Sequence, residues 1–438
     1  MNETSPRSLA TRLVERLRSA GHEALFAGGC VRDLLLAQEP KDFDVVTSAT
    51  PEQVQHLFRR TRAVGKAFGV ILVFSGDQEF EVATFRSDGA YGDGRHPDSV
   101  TFGTIEEDAA RRDLTINGLY FDPLEERVID LVGGLDDLRA KVVRAIGDPG
   151  ARFREDSLRL LRVVRFCARL DFRLEDRTAE AVRRDAPLLA RVSAERILDE
   201  LTRILTGPNA GRGLTLLEDL GLLSEVLPEL ARLRAVEQPR HWHPEGDVLT
   251  HTLRMVSMLH QPSPVLAWAV LLHDCGKALT STGGPVPHFP GHAEVGADLA
   301  RTILLRLKAS NHLVEGAAEL VELHDRFMQV REMRRSTLLR LLGRPCINEL
   351  LELHRLDCAS SERSLETWQY CKEILASLPL ERLRPAPLLD GHDLQGMGMR
   401  PGPALGAMLR DLVDAQLEDR VRDRQEAEAF VRSRFDQG

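Results

Sequence analysis

The chain has 438 residues, 43% of them hydrophobic, and a formal net charge of −9. That is apolar material for several cores, so a single small module is excluded, and with a negative balance any nucleic-acid contact has to come from a local basic patch. No run of about eighteen uncharged apolar residues occurs, and the opening Met-Asn-Glu-Thr-Ser-Pro is not a basic-then-apolar leader, so a soluble, cytoplasmic protein with no membrane partner is expected. Six cysteines at 30, 167, 275, 346, 358 and 371 show no Cys-x-x-Cys spacing. Reduced, mostly buried thiols are expected rather than a disulfide framework or a cysteine zinc site.

In chain order, Ser5 and Pro6 open an amphipathic helix to about residue 21, with Leu9, Leu13, Val14 and Leu17 on one face. Ala24 to Ala27 reads as a short strand, and Gly28 and Gly29 as a turn into a helix from about Cys30. Backbone N–H groups at such a start suit phosphate oxygens, and Arg32 one turn on adds a forked, charged contact. Asp42-Phe43-Asp44 then leads into Val45 and Val46. On a strand, the period of two puts both carboxylates on one face, where they can share a hard cation such as Mg²⁺. A Gly-Gly turn is usually only a turn and an Asp-x-Asp often a solvated strand end. Together, in this order, they suggest phosphoryl or nucleotidyl transfer.

Thr50-Pro51-Glu52-Gln53 carries a capping box for a helix to about Phe58, and Val70 to Phe74 with Phe80 to Phe85 reads as a hairpin. Glu81 on its second strand is either a third carboxylate of the site or an exposed edge-strand residue. Residues 86 to 99 read as a long functional or disordered loop. In Arg111-Arg112-Asp113-Leu114-Thr115-Ile116-Asn117, two adjacent arginines on a helix face different ways, so one can reach a ligand while the other pairs with an acid. Glu126 to Gly134 and Val142 to Gly147 read as closing strands.

From Ala151 the pattern becomes helical. Asp156, Arg159, Arg162 and Arg165 step by three, giving one expected helix face with a carboxylate and three guanidiniums, which surface ion pairing alone would also explain. Between Ala151 and Arg212 stand 14 Arg, no Lys and 10 Asp plus Glu, so RNA phosphate is expected here first. Ser193 is a plausible helix cap, and a helix pair breaks at Gly221. A second constellation follows in a helical region: His251, His273-Asp274, His292, His324 and Asp357. Buried structural histidine is the ordinary explanation for any one of these.

The stretch from the strand and Gly28-Gly29 through Val31-Arg32-Asp33 to Asp42-x-Asp44 resembles the signature of the class II tRNA CCA-adding enzymes and bacterial poly(A) polymerases. The resemblance extends to Arg-Arg-Asp-x-Thr-x-Asn at 111 to 117 and to Glu-Asp-x-x-Arg at 155 to 159. It implies an α+β nucleotidyltransferase head with a polymerase-β-like mixed sheet, then an all-α neck and body. It implies two Mg²⁺ on Asp42 and Asp44, Glu81 acting on the primer hydroxyl or on metal, and Gly28, Gly29, Arg32 and Arg112 contacting nucleotide. Asp156 and Arg159 match a pair that reads the base edges of CTP and ATP, and Arg162 and Arg165 match further nucleotide contacts. The loop at 86 to 99 matches one that bears on which nucleotide is added.

The second constellation resembles the HD phosphohydrolase superfamily. That likeness assigns His251, His273, Asp274 and Asp357 as ligands of a further divalent metal, for which Mn, Ni, Co, Fe or Mg all suit the donors, with His292 and His324 holding a second metal or a phosphate. The expected division is a head at 1–150, a neck at 151–236, an HD domain at 237–365 and a helical tail at 366–438.

The function implied is addition of C, C and A to the tRNA 3′ end from CTP and ATP. Enzymes adding only CC or only A share these motifs. Poly(A) polymerases carry two basic residues where Gly65-Lys66-Ala67-Phe68 has one, and a basic C-terminal tail that is not seen here. A reading of another class is an RNA-binding scaffold with an active HD phosphatase, against which Asp42 and Asp44 stand.

Overall fold

The computed structural model describes residues 5–65, 68–89, 99–239, 246–284 and 286–435. Its contacts divide the chain into two compact units, Met1–Ala231 with Arg306–Ala309, and Arg232–Leu305 with Ser310–Gly438.

The first unit is built on a mixed sheet. Helix α1 (Pro6–Ser19) is capped by Ser5, whose hydroxyl accepts the Ser8 N–H, and buries Leu9, Leu13, Val14 and Leu17. Strand β1 (Ala24–Ala27) is buried at all four positions and runs through Gly28 into α2 (Gly29–Leu35). Then come β2 (Val45–Thr47), α3 (Pro51–Leu57) closed by the Thr50/Gln53 capping box, and β3 (Thr61–Gly65). The hairpin β4 (Val70–Ser75) and β5 (Gln78–Thr84) turns at Gly76, whose φ of +62° a β-carbon would strain. Strands β6 (Arg86–Asp88) and β7 (Val100–Phe102) pair as a separate ribbon, so the expected loop at 86–99 begins as a strand and leads into another, and its residues 90–98 lie outside the described ones. Lys66 and Ala67 lie outside them as well.

Strands β8 (Leu119–Asp122) and β9 (Arg127–Asp130) complete the sheet in the order β3-β4-β5-β2-β1-β8-β9. All its pairs are antiparallel except β2 with β5, which is parallel. The expected closing strand at 142–147 is only Val142–Val143, and it pairs with Arg173–Leu174 in a ribbon of its own.

The neck is helical but interrupted. One helix spans Pro149–Glu155 and the next Arg159–Leu170, with Asp156 extended at φ −137° between them, so Asp156 and Arg159 do not share a helix face as expected. The break at Gly221 holds, between helices Ala210–Asp219 and Leu222–Val226.

In the second unit the helix Pro264–Leu272 is apolar all round, and every residue from Val265 to Leu272 is buried. Such a helix belongs at a bundle centre. It packs against helices Val248–Ser257, Asn311–Leu323 and Ile347–Ser360. Farther on, Leu389, Leu394, Met399, Leu412, Ala415 and Val431 form a small core of their own. All six cysteines are free, and five are buried. Among the described residues no helix is long and apolar enough to cross a membrane.

Candidate functional site

In the first unit the sheet places the carboxylates. Asp42 to Asp44 lie just ahead of β2 rather than on it, and the Ala27 N–H donates to the Asp44 carbonyl, extending the β1 ladder by one step. Val45 pairs with Val82 in the parallel register and both are buried, so Asp44 and Glu81, one step earlier on each strand, turn to the open face. Strand β5 is interior to the sheet, so Glu81 is not on an edge strand. Crowding by protein, then the charges of Glu81 and Asp42, push the Asp44 carboxyl up to about 6 against the pull of Arg112. Asp42, Asp44 and Lys41 line one cleft together with Gly29, Arg32 and Arg165.

By its chemistry this donor set suits a divalent cation: oxygen ligands only, with Glu81 and Asp42 adding negative charge at Asp44. Protons and metal compete for the same oxygens, so divalent-metal affinity is expected to fall as pH drops through about 6. Calorimetric titration of Mn²⁺ on either side of that pH, on the full chain and on Asp44→Asn, checks it. An affinity that does not change with pH would contradict the assignment.

Facing the carboxylates is a basic wall. Nine arginines and three aspartates line a cleft of about 570 Å³, a size that suits a nucleotide and a charge that suits its triphosphate. Each arginine is held by a partner. Arg32, 2% exposed, donates to Asp33 Oδ1 from Nε and Nη2 (2.9 and 2.6 Å) and to Asn117 Oδ1 from Nη1 (2.6 Å), and stacks on Phe166. Arg162 donates to Asp113 (Nε 2.8 Å), and Arg165 Nε lies 2.7 Å from Glu200. Burial opposes ionisation of Asp113, but Arg162 and Asn117 outweigh it and hold that carboxyl well below the usual range.

Arg111 and Arg112 depart from expectation. The helix before them ends at Ala110, and instead of pointing apart both guanidiniums bond Asp108, Arg111 to Oδ1 (Nη2 2.5 Å) and Arg112 to Oδ2 (Nη2 2.9 Å). Tyr120 donates to the same Oδ2 at 2.8 Å. Gly28 adopts φ +75°, and a β-carbon there would stand 3.0 Å from Arg112 Nη1. Its own N–H donates to the Leu119 carbonyl at 3.0 Å, so this amide is used within the sheet. Asp156 and Arg159 both face this cleft. Asp156 accepts from the Leu158 N–H and from Arg196. Arg159 donates to Glu155 Oε2 at 3.0 Å and to the Arg111 carbonyl at 2.9 Å. Asp108, Arg196 and Glu200 are missing from the sequence reading, because nothing in their spacing marks them. Asp113 and Asn117 stood inside the quoted motif.

In the second unit the histidines converge. His273, His292 and His324 each have Nδ1 against the carbonyl three residues earlier, Val270, Phe289 and Val321, at 2.9, 2.9 and 2.6 Å. A carbonyl only accepts, so the proton sits on Nδ1 and the lone pair on Nε2 faces the site. His273 Nε2 is buried without an aligned hydrogen-bond partner, as a metal-ligating nitrogen would be.

Two sets of donor atoms result, each within 4.8 Å: His251, His273 and Asp357, and Asp274, His292 and His324. The expected set of four is thus divided, with Asp274 Oδ2 only 3.1 Å from His273 Nε2. Burial works against ionisation of Asp274 and Asp357. His273 and Lys277 for the first, and His251 and Arg363 for the second, outweigh it and hold both well below the carboxylate range. Lys277 bonds Asp274 at 2.7 Å and Arg363 bonds Asp357 at 2.5 Å, two cations the sequence reading did not assign. His273→Ala is expected to lower the bound divalent metal of the purified full chain, read by elemental analysis, while CTP incorporation stays unchanged.

A mixed-sheet head with paired aspartates facing an arginine wall, together with a helical His-Asp cluster, defines a nucleotidyltransferase with an HD domain. The poly A polymerase head domain family matches residues 24–144, a probable RNA and SrmB-binding site of polymerase A family 171–233, and the HD domain family 248–359. The CCA-adding enzyme of Levilactobacillus brevis is 32% identical over 414 residues, covering 92% of each chain. Poly(A) polymerase I of Haemophilus influenzae is 40% identical, but over 52% of this chain and 54% of its own. The crystal structure of the Bacillus stearothermophilus CCA-adding enzyme in complex with CTP superposes with a TM-score of 0.78 at 28% identity, covering 99% of this chain and 98% of the other. The chain belongs to the CCA-adding enzyme family, the tRNA nucleotidyltransferases with an HD domain. It is an enzyme of a class that uses divalent metal.

Proposed function

We propose that the chain builds the CCA end of tRNA in the cytoplasm, adding C, C and A in turn from CTP and ATP. The head at 1–150 carries the chemistry, the neck at 151–236 chooses the nucleotide and meets RNA, the HD domain spans 237–365 and a helical tail 366–438. The observation that supports this best is one cleft whose walls include Asp44, the arginine cluster, and both Asp156 and Arg159.

Asp42 and Asp44 would hold Mg²⁺, with Glu81 beside Asp44 for the primer end. The cation, when bound, supplies Lewis acidity at the α-phosphate and at the attacking 3′-hydroxyl. The chain's own part is placement. Arg112, braced by Asp108, and Arg32, braced by Asp33 and Asn117, present fixed positive charge to the triphosphate, with the Gly28-Gly29 turn leaving room for it. The 3′-hydroxyl gives its proton to Glu81 as its oxygen attacks the α-phosphorus, the bond from that phosphorus to the α–β bridging oxygen breaks, and pyrophosphate leaves against the arginine wall. Asp156 accepts the amino group of cytosine or adenine while Arg159 donates to the neighbouring ring nitrogen. Uracil and guanine carry a carbonyl at the first position and N–H at the second, so they are refused. Arg162 and Arg165 complete the pocket. In the HD domain, His251, His273, Asp274 and Asp357 with His292 and His324 would hold divalent metal, which would supply hydrolysis of a phosphate ester.

Single-turnover extension of tRNA transcripts ending before CCA, after C and after CC tests the proposal. Two CTP additions followed by one ATP are expected. Extension of the CC transcript alone, or CTP addition without ATP, would make it a partial enzyme, and long A tails a poly(A) polymerase.

A further inference from the structure

We propose that Arg196 governs nucleotide specificity by orienting Asp156. This rests on the reading of Asp156 and Arg159 as the base-reading pair, and goes beyond it by naming the residue on which that reading depends.

Asp156 lies in the break between two helices, so no helical backbone restricts its side chain. Its carboxylate is held at two points. Oδ1 accepts the Leu158 N–H at 3.1 Å, a local bond that leaves the group free to rock, and Oδ2 accepts Arg196 Nη2 at 2.8 Å. Among the described residues Arg196 is the only side chain that hydrogen-bonds this carboxylate. It comes from another helix, Ala194–Leu205, and its guanidinium lines the same cleft.

Arg159 has more support: Glu155, the Arg152 carbonyl and the Arg111 carbonyl all accept from it. The acceptor half of the pair is therefore the less braced half, and Arg196 supplies its brace. A carboxylate oxygen has lone pairs for two donors. With Arg196 on one side, Oδ2 still accepts the amino group of cytosine or adenine, at an angle the guanidinium sets. Without Arg196 the carboxylate rotates on its Leu158 bond, and the penalty against the uracil carbonyl falls. Arg196 is thus a positioning residue, acting through Asp156.

The test is the ratio of kcat/KM for CTP over UTP on a tRNA transcript ending before CCA, for the full chain and for Arg196→Gln, Arg196→Lys and Asp156→Ala. The ratio is internal to each preparation, so a loss of folded protein does not alter it. Arg196→Gln is expected to lower it by about tenfold, the size of one weakened base contact, with Arg196→Lys restoring part. Equal losses for CTP and UTP in Arg196→Gln, with Asp156→Ala still lowering the ratio, would overturn the role given to Arg196. An unchanged ratio in Asp156→Ala would instead overturn the base-reading assignment beneath it.

Discussion

Asp44→Ala is expected to reduce single-turnover CTP incorporation by about 10⁴-fold, a barrier increase of about 5.5 kcal/mol, without lowering the melting temperature of the head. The two halves of that expectation have one cause. Asp44 stands with Glu81 and Asp42 on the open face of the sheet, and its carboxyl is pushed up to about 6 by its surroundings. A carboxyl raised in the folded state disfavours folding once it ionises, above the unfolded value of 3.8 and fully so above about 6. Removing the group in metal-free protein at neutral pH therefore relieves repulsion, while removing it from the working enzyme takes away a metal ligand. Stopped-flow or quench kinetics alongside calorimetry separates the two. Incorporation surviving near the wild-type rate would move the metal away from Asp44.

Asp108→Ala is expected to do the reverse and damage the fold first. The Asp108 side chain is fully buried and holds Arg111, Arg112 and Tyr120 at once. Breaking a buried ion pair from one side leaves uncompensated charge and costs about 3–5 kcal/mol, a drop of roughly 10 °C for the transition of a unit this size. Arg112 loses its brace in the same change, so CTP turnover by the protein that remains folded is expected to fall about a hundredfold. Burial raises the Asp108 carboxyl, the two arginines outweigh it, and the net shift is downward. Its stabilisation is thus present above the unfolded carboxylate range and is lost as pH falls through the lower, folded value. Calorimetry at neutral pH, on wild type and variant, reads the difference. A melting temperature unchanged by the substitution would show that the network does not carry the fold.

Local rules carried far in this chain. The caps at Ser5 and Thr50, the hairpin turning at Gly76 and the break at Gly221 all follow from side chains acting on neighbouring backbone, and all are present. Asp42 and Asp44 stand out in the sequence through their motif, while the strand period expected of them is not present, because β2 begins only at Val45. What escaped depends on partners distant in sequence. Spacing by three between Asp156 and Arg159 reads as one helix face, yet the helix stops at Glu155 and Asp156 is held by Arg196. Adjacent arginines read as diverging, yet the helix ends before them and Asp108 takes both. Strand β8 was overlooked, since Leu119–Asp122 has no turn signal ahead of it other than Gly118. The histidines stand out in the sequence as a group, but their division into two sets of donor atoms depends on segments distant in sequence that the fold brings together, His251 with Asp357 and Asp274 with His292 and His324.

The strand order of the head also bears on how it comes to be folded. Strand β1 lies inside the sheet, paired on one side with β2, close in sequence, and on the other with β8, where Phe26 meets Phe121. During synthesis β1 leaves the ribosome early and carries an unpaired edge until β8 follows, so closure of the sheet is a late, long-loop event. Until Leu119–Asp122 has emerged, the buried row Ala24–Ala27 keeps one edge unpaired and open to wrong pairing.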